Sequence, residues 1–205
     1  MSERLAERLA RLVGLIARLR DPEGGCPWDR AQDHRTLRPY VVEEAHEVVA
    51  AIDGGDPHAL ESELGDLLLQ VLLHSRIAEE AGEFTLDDVM DTLATKLERR
   101  HPHVFGDAPS DLAAVRARWN EIKAAEPGRA TVELPPIVAA RKLVASLPDG
   151  APVEALLDAA DEEERAGLDL LGAVARAWRR GVDPEIALRK AVEAARSALE
   201  GRRVA

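Results

Sequence analysis

Apolar residues recur every three or four positions along almost the whole chain, which is the period of a helix with one buried face. Leu5, Leu9, Leu12, Ile16 and Leu19 form the first such stripe, and Asp21 to Gly25 closes it as a turn. A loop through Cys26, Pro27, Trp28 and Asp29 is expected next. A second helix is predicted from about Thr36 to Ile52, burying Val41, Ala45, Val48 and Ile52. Asp56 and Pro57 supply an N-cap and a first-turn proline for a long helix ending near Ala81.

Thr85 and Asp88 have the spacing of a capping box and open a helix to about Arg100. His101 to Gly106 is expected to be a loop, because Pro102 disfavours a helical residue before it. Ser110 or Asp111 opens a further helix to about Ala125, closed by Glu126, Pro127 and Gly128. Past Pro135 and Pro136, helices are predicted at about 137–146, 153–178 and 184–200. Short links between helices of this kind predict an all-α bundle. Residues 65–76 and 167–178 also align at an offset of 102, a weak internal repeat.

Composition agrees. Of 205 residues, 35 are Ala and 27 Leu, while Phe, Trp and Tyr together make only 3%. That mixture favours helices and argues against all-β and doubly wound folds. Charge adds a different constraint. The net charge of −11 argues against general binding of nucleic acid or anionic membranes. It is concentrated: residues 129–205 hold 13 acidic and 12 basic side chains, leaving 25 and 15 for residues 1–128. The single Cys26 excludes an internal disulfide framework, so a cytoplasmic protein is expected. No apolar run reaches the length of a membrane span, and no signal-peptide core opens the chain.

The chemistry concentrates in Glu43, Glu44 and Glu47, followed by Glu63 and Asp66 on the next predicted helix. Glu44 and Glu47 share a helix face, as do Glu63 and Asp66. The tight link from Asp53 to Asp56 makes the two helices antiparallel, so four carboxylates can converge between them. Leu60, Leu64, Leu67, Leu68 and Val71 around the second pair suggest burial. Carboxylates so grouped repel one another, and a hard divalent cation relieves that: Mg²⁺ suits all-oxygen ligation, with Mn²⁺ as a substitute. The competing explanation is solvated charge on an exposed face.

A cationic group lies downstream at Lys96, Arg99 and Arg100, with Trp119 and Lys123 four apart on the following helix. Cations near a metal fit a polyanionic ligand, and an exposed Trp offers a stacking surface for a base. Complementation of a helix C-terminus, and ordinary packing of Trp119 near Val115 and Ile122, are the plainer accounts. Cys26 has no specified partner and is read as a loop-packing residue.

The run Gly25 to Asp29, then Gln32, His34 and Leu37 to Tyr40, resembles the opening of MazG proteins, which belong to the all-α NTP pyrophosphatase superfamily. The two carboxylate motifs, the run Lys96 to Gly106 and the run Trp119 to Glu126 continue that resemblance over about residues 10–128. It implies Mg²⁺-dependent hydrolysis of an NTP or dNTP between its α- and β-phosphates, giving a nucleoside monophosphate and pyrophosphate. It further implies that Glu44, Glu47, Glu63 and Asp66 hold the metal, that Lys96 and Arg100 hold phosphates, and that Trp119 and Lys123 contact the nucleotide. Glu43, or another carboxylate of the group, is the expected proton acceptor. Asp29, Gln32 and His34 are candidate lid or base contacts.

Residues 129–205 resemble a second, degenerate module without catalytic residues, since Glu63 falls on Arg165 and Asp66 on Leu168 at the 102 offset. Single apolar helix faces, and a family of dimers, make a homodimer the expected assembly. The rival reading is a ferritin-like di-iron bundle, with Glu43 and His46, and Glu98 and His101, as its Glu-x-x-His pairs. His101 directly before Pro102 is a poor place for an inward ligand, and Glu44, Glu47 and Asp66 would be surplus.

Overall fold

The computed structural model describes residues 2–125, 134–147, 153 and 161–203, and among them every regular element is helical. The chain divides into two compact units, Met1–Glu126 and Pro127–Ala205.

In the first unit, α1 (Ser2–Leu19) leads into a tight turn at residues 21–25. A side chain at Gly25 would collide with the Leu19 and Asp21 backbone, so this turn needs glycine. Residues 27–30 do not form the expected loop. They make one helical turn, α2 (Pro27–Arg30), because proline at the first position presets a helical φ and lacks only an amide that would be unbonded there. The same holds for α6 (Pro102–Phe105): His101 before it is non-helical, as expected, but Pro102 starts a short helix.

The core hairpin is α3 (Arg38–Gly54) and α4 (Pro57–Ala81), the most extensively packed pair in the unit. Gly55 ends α3 in the left-handed region, and the Asp56 side chain caps α4 by accepting from the His58 amide. α5 (Leu86–Arg100) follows with the complete Thr85/Asp88 capping box, and α7 (Leu112–Ala124) is capped by Asp111. Ile16, Leu37, Leu72 and Leu73 form the core, with Leu9, Tyr40, Leu69, Ile77 and Leu86 against it.

Burial on α3 is less than its pattern suggests. Val41 and Val48 are half-buried, Ala45 is exposed, and Ile52 is 58% exposed. With Val42, Leu64, Leu68, Leu93 and Leu97 also exposed, α3, α4 and α5 each keep apolar side chains that this chain alone does not cover.

The second unit contains α8 (Pro136–Ser146), α9 (Glu162–Arg179) and α10 (Pro184–Arg203) around Val144, Val153, Val174 and Ala175. Of the helix expected over 153–178, the stretch 154–160 lies outside the described residues. The ends of α4 and α9 share one device. Glu83 and Gly82 amides bond to the Ala78 and Glu79 carbonyls, and Val182 and Gly181 amides bond to Ala177 and Trp178, with both glycines left-handed. These ends lie 99 residues apart, three short of the sequence offset. In that register Glu162 takes the place of Glu63 and Arg165 that of Asp66.

Candidate metal and phosphate site

The hairpin sets the site. Counting outward from Gly55, Glu44 and Asp66 are equally far along their antiparallel helices, so they meet across the seam. Carboxylate oxygens of Glu44, Glu63 and Asp66 lie within 4.8 Å of one another. Glu47 lies close enough to both Glu44 and Glu63 to raise the pKa of each. Glu43 and His46 are exposed on α3 and stand outside the trio.

The apolar surroundings do not bury these acids as expected. Asp66 is exposed and Glu63 half-buried, because the α4 leucines divide: Leu69, Leu72 and Leu73 turn to the core while Leu64 and Leu68 turn outward. The acids still feel each other. Desolvation, then repulsion from Asp66 and Glu47, holds the Glu44 carboxyl above the usual range. Glu63 is raised by desolvation, then by Glu47 and Asp66. An all-oxygen trio in which Glu44 and Glu63 are both held raised fits a hard divalent cation, which replaces repulsion by attraction.

The cations line a groove on α5. Asp91, Thr92, Thr95, Lys96 and Arg99 enclose about 330 Å³. Arg100 lies over the face of Trp119, 5.3 Å from its ring centroid. His101 meets the same ring edge-on at 5.0 Å, so Trp119 is half-buried between two side chains rather than freely exposed. The Lys123 side chain lies outside the described residues.

At the other end of α4, His34 and His74 stand Nδ1 to Nδ1 at 2.7 Å with rings stacked. Gln32 donates to the Trp28 carbonyl, and Trp28 meets Tyr40 edge-on. Asp29 is half-buried, its carbonyl accepting from Arg20. Sequence reasoning missed Arg20, Gln70 and His74. The last two could have been found, since they follow Asp66 at i+4 and i+8 within a run of Leu and Val.

For the rival di-iron arrangement, His101 Nδ1 is bonded to the Leu97 carbonyl and Glu98 is exposed. No histidine enters the trio found among the described residues.

Comparison with known proteins points one way. Residues 32–105 match the family of the MazG nucleotide pyrophosphohydrolase domain. The nucleoside triphosphate pyrophosphohydrolase/pyrophosphatase MazG of Thermotoga maritima is 40% identical across 88% of this chain and 79% of its own. The nucleoside triphosphate pyrophosphohydrolase of Escherichia coli is 47% identical across 58% of this chain, which spans 46% of that relative's length. The crystal structure of a mazG-related protein from Thermotoga maritima aligns with 58% of this chain and 98% of its own, at a TM-score of 0.48 and 27% identity.

Proposed function

The chain belongs to the MazG family of nucleotide pyrophosphohydrolases, hydrolases of acid anhydrides, and from that footing we propose that it cleaves nucleoside triphosphates between the α- and β-phosphates. The observation that carries the reading is the convergence of Glu44, Glu63 and Asp66 within 4.8 Å from two helices of one hairpin.

Glu44, Glu63 and Asp66 would hold Mg²⁺, or Mn²⁺ in its place, with Glu47 beside them as a further ligand. A cation held there neutralises phosphate charge and makes the attacking water more acidic. Water attacks the α-phosphorus in line, the bond to the bridging oxygen breaks, and pyrophosphate leaves. Glu43, or another carboxylate of the group, takes the water's proton. Lys96, Arg99 and Arg100 hold the departing phosphates, while Trp119 and Lys123 contact the nucleotide. Asp29, Gln32 and His34 face its distal part. No covalent nucleophile is required.

The uncovered apolar side chains of α3, α4 and α5 support a homodimer that buries them. Residues 129–205 serve as a degenerate module without a site, because neither the 99 nor the 102 register restores the acid pair. No described helix is long and apolar enough to cross a membrane.

The test is a panel of NTPs and dNTPs with Mg²⁺, scored for pyrophosphate against orthophosphate. Pyrophosphate release that is lost on chelation and in Asp66→Asn is expected. Orthophosphate as the first product contradicts the reading.

A further inference from the structure

Asp66, Gln70 and His74 follow at four-residue intervals and stack on one face of α4, each about 6 Å beyond the last. Leu67 to Leu69 and Val71 to Leu73 fill the positions between. Gln70 is only 5% exposed, and its Oε1 is buried without a hydrogen-bond partner. A buried acceptor left unbonded is destabilising, and leucine, common in this helix, would avoid the cost. Along α4, Asp66 of the carboxylate cluster lies about one turn before Gln70, and His74 of the His34–His74 pair about one turn after it.

We propose that Gln70 is a specificity-determining residue whose Oε1 accepts a hydrogen bond from a sugar hydroxyl of the nucleotide. The inference rests on the pyrophosphohydrolase reading, and the covalent order of the substrate gives the reason. With the α-phosphate at the carboxylates, the sugar is the next group and the base the one after. Gln70 lies one helical turn from Asp66, and His74 two turns. Ionised phosphate oxygens only accept hydrogen bonds, so they cannot satisfy Oε1; a hydroxyl can donate to it.

The experiment measures kcat/KM, with Mg²⁺, for one base carried on ribose, 2′-deoxyribose, 3′-deoxyribose and 2′,3′-dideoxyribose triphosphates. Wild type and Gln70→Met, a near-isosteric apolar replacement, are compared. Wild type should lose about tenfold or more when the bonded hydroxyl is removed, mainly through KM. Gln70→Met should treat the four alike, with a metal-free Tm no lower than wild type because the orphan acceptor is gone. Gln70→Glu keeps an acceptor and should retain part of the discrimination.

Wild type that hydrolyses the dideoxy substrate as well as the others overturns the proposal, whether or not the variants fold. So does a Gln70→Met enzyme that keeps the wild-type preference, which would mean that water alone satisfies the amide. Wild type that releases pyrophosphate from none of the four overturns the functional reading and this inference together. The two failures are therefore distinguishable.

Discussion

Arg20, at the end of α1, grips Glu80 on α4 through Nε and Nη2 at 2.8–3.2 Å, while its Nη1 holds the carbonyls of Asp29 and Gln32. One side chain thus ties three parts of the chain together: α1, α4 and the segment from α2 to His34, which carries Trp28 and Gln32. Arg20 is nearly buried, so these partners compensate the cost of burying its charge.

Removing either partner should loosen that segment before it unfolds the unit. Glu80→Gln is expected to cost about 1–2 kcal/mol, held down by partial solvent access at Glu80. The Arg20 hydrogen bonds, with Arg76 adding to them against desolvation, hold the Glu80 carboxyl below its usual 4.5. A depressed folded-state value means the contribution is fully present above the unfolded value and is lost as pH falls through the folded one. The gap in Tm between wild type and Glu80→Gln should be constant from pH 6 to 8 and shrink below about pH 4.5. A gap that widens in acid contradicts this.

Glu63→Gln should abolish pyrophosphate release while raising the Tm of the metal-free protein, because it removes one of three mutually repelling acids. Mg²⁺ should raise the Tm of wild type and do so much less in the variant. Differential scanning fluorimetry with and without chelator reads both. A variant that loses stability without metal would mean that the acids are not in conflict.

Ile52→Glu and Leu93→Glu place charges on apolar side chains more than half exposed in the single chain. Both should shift sedimentation equilibrium from dimer to monomer with helical content unchanged. Wild type sedimenting as a monomer rules the assembly out.

Trp119→Ala removes the ring lying between Arg100 and His101. Steady-state kinetics should show KM for the triphosphate rising about tenfold, with a smaller fall in kcat. An unchanged KM would assign Trp119 to packing alone.

A chain shortened to residues 1–126, the first compact unit, should keep pyrophosphate release, whereas the full chain carrying Glu44→Ala should lose it. The opposite pair of results would put the chemistry in the second unit.

The sequence by itself determined the local structure and the carboxylate motif. Asp56, Thr85 and Asp111 cap helices where their spacing says they should, because caps are formed by residues a few positions apart. The convergence of Glu44, Glu63 and Asp66 was legible for the same reason, since one tight turn separates their helices. Burial was not legible. Leu64 and Leu69 are the same residue on the same helix, yet one is 49% exposed and the other packs on the core. Periodicity marks an apolar face but not whether this chain supplies its cover. Only tertiary structure brought Arg20 to Glu80 across 60 residues and His34 to His74 across 40. It alone left Gln70 Oε1 without a partner, because burial and hydrogen bonding are properties of the packed chain.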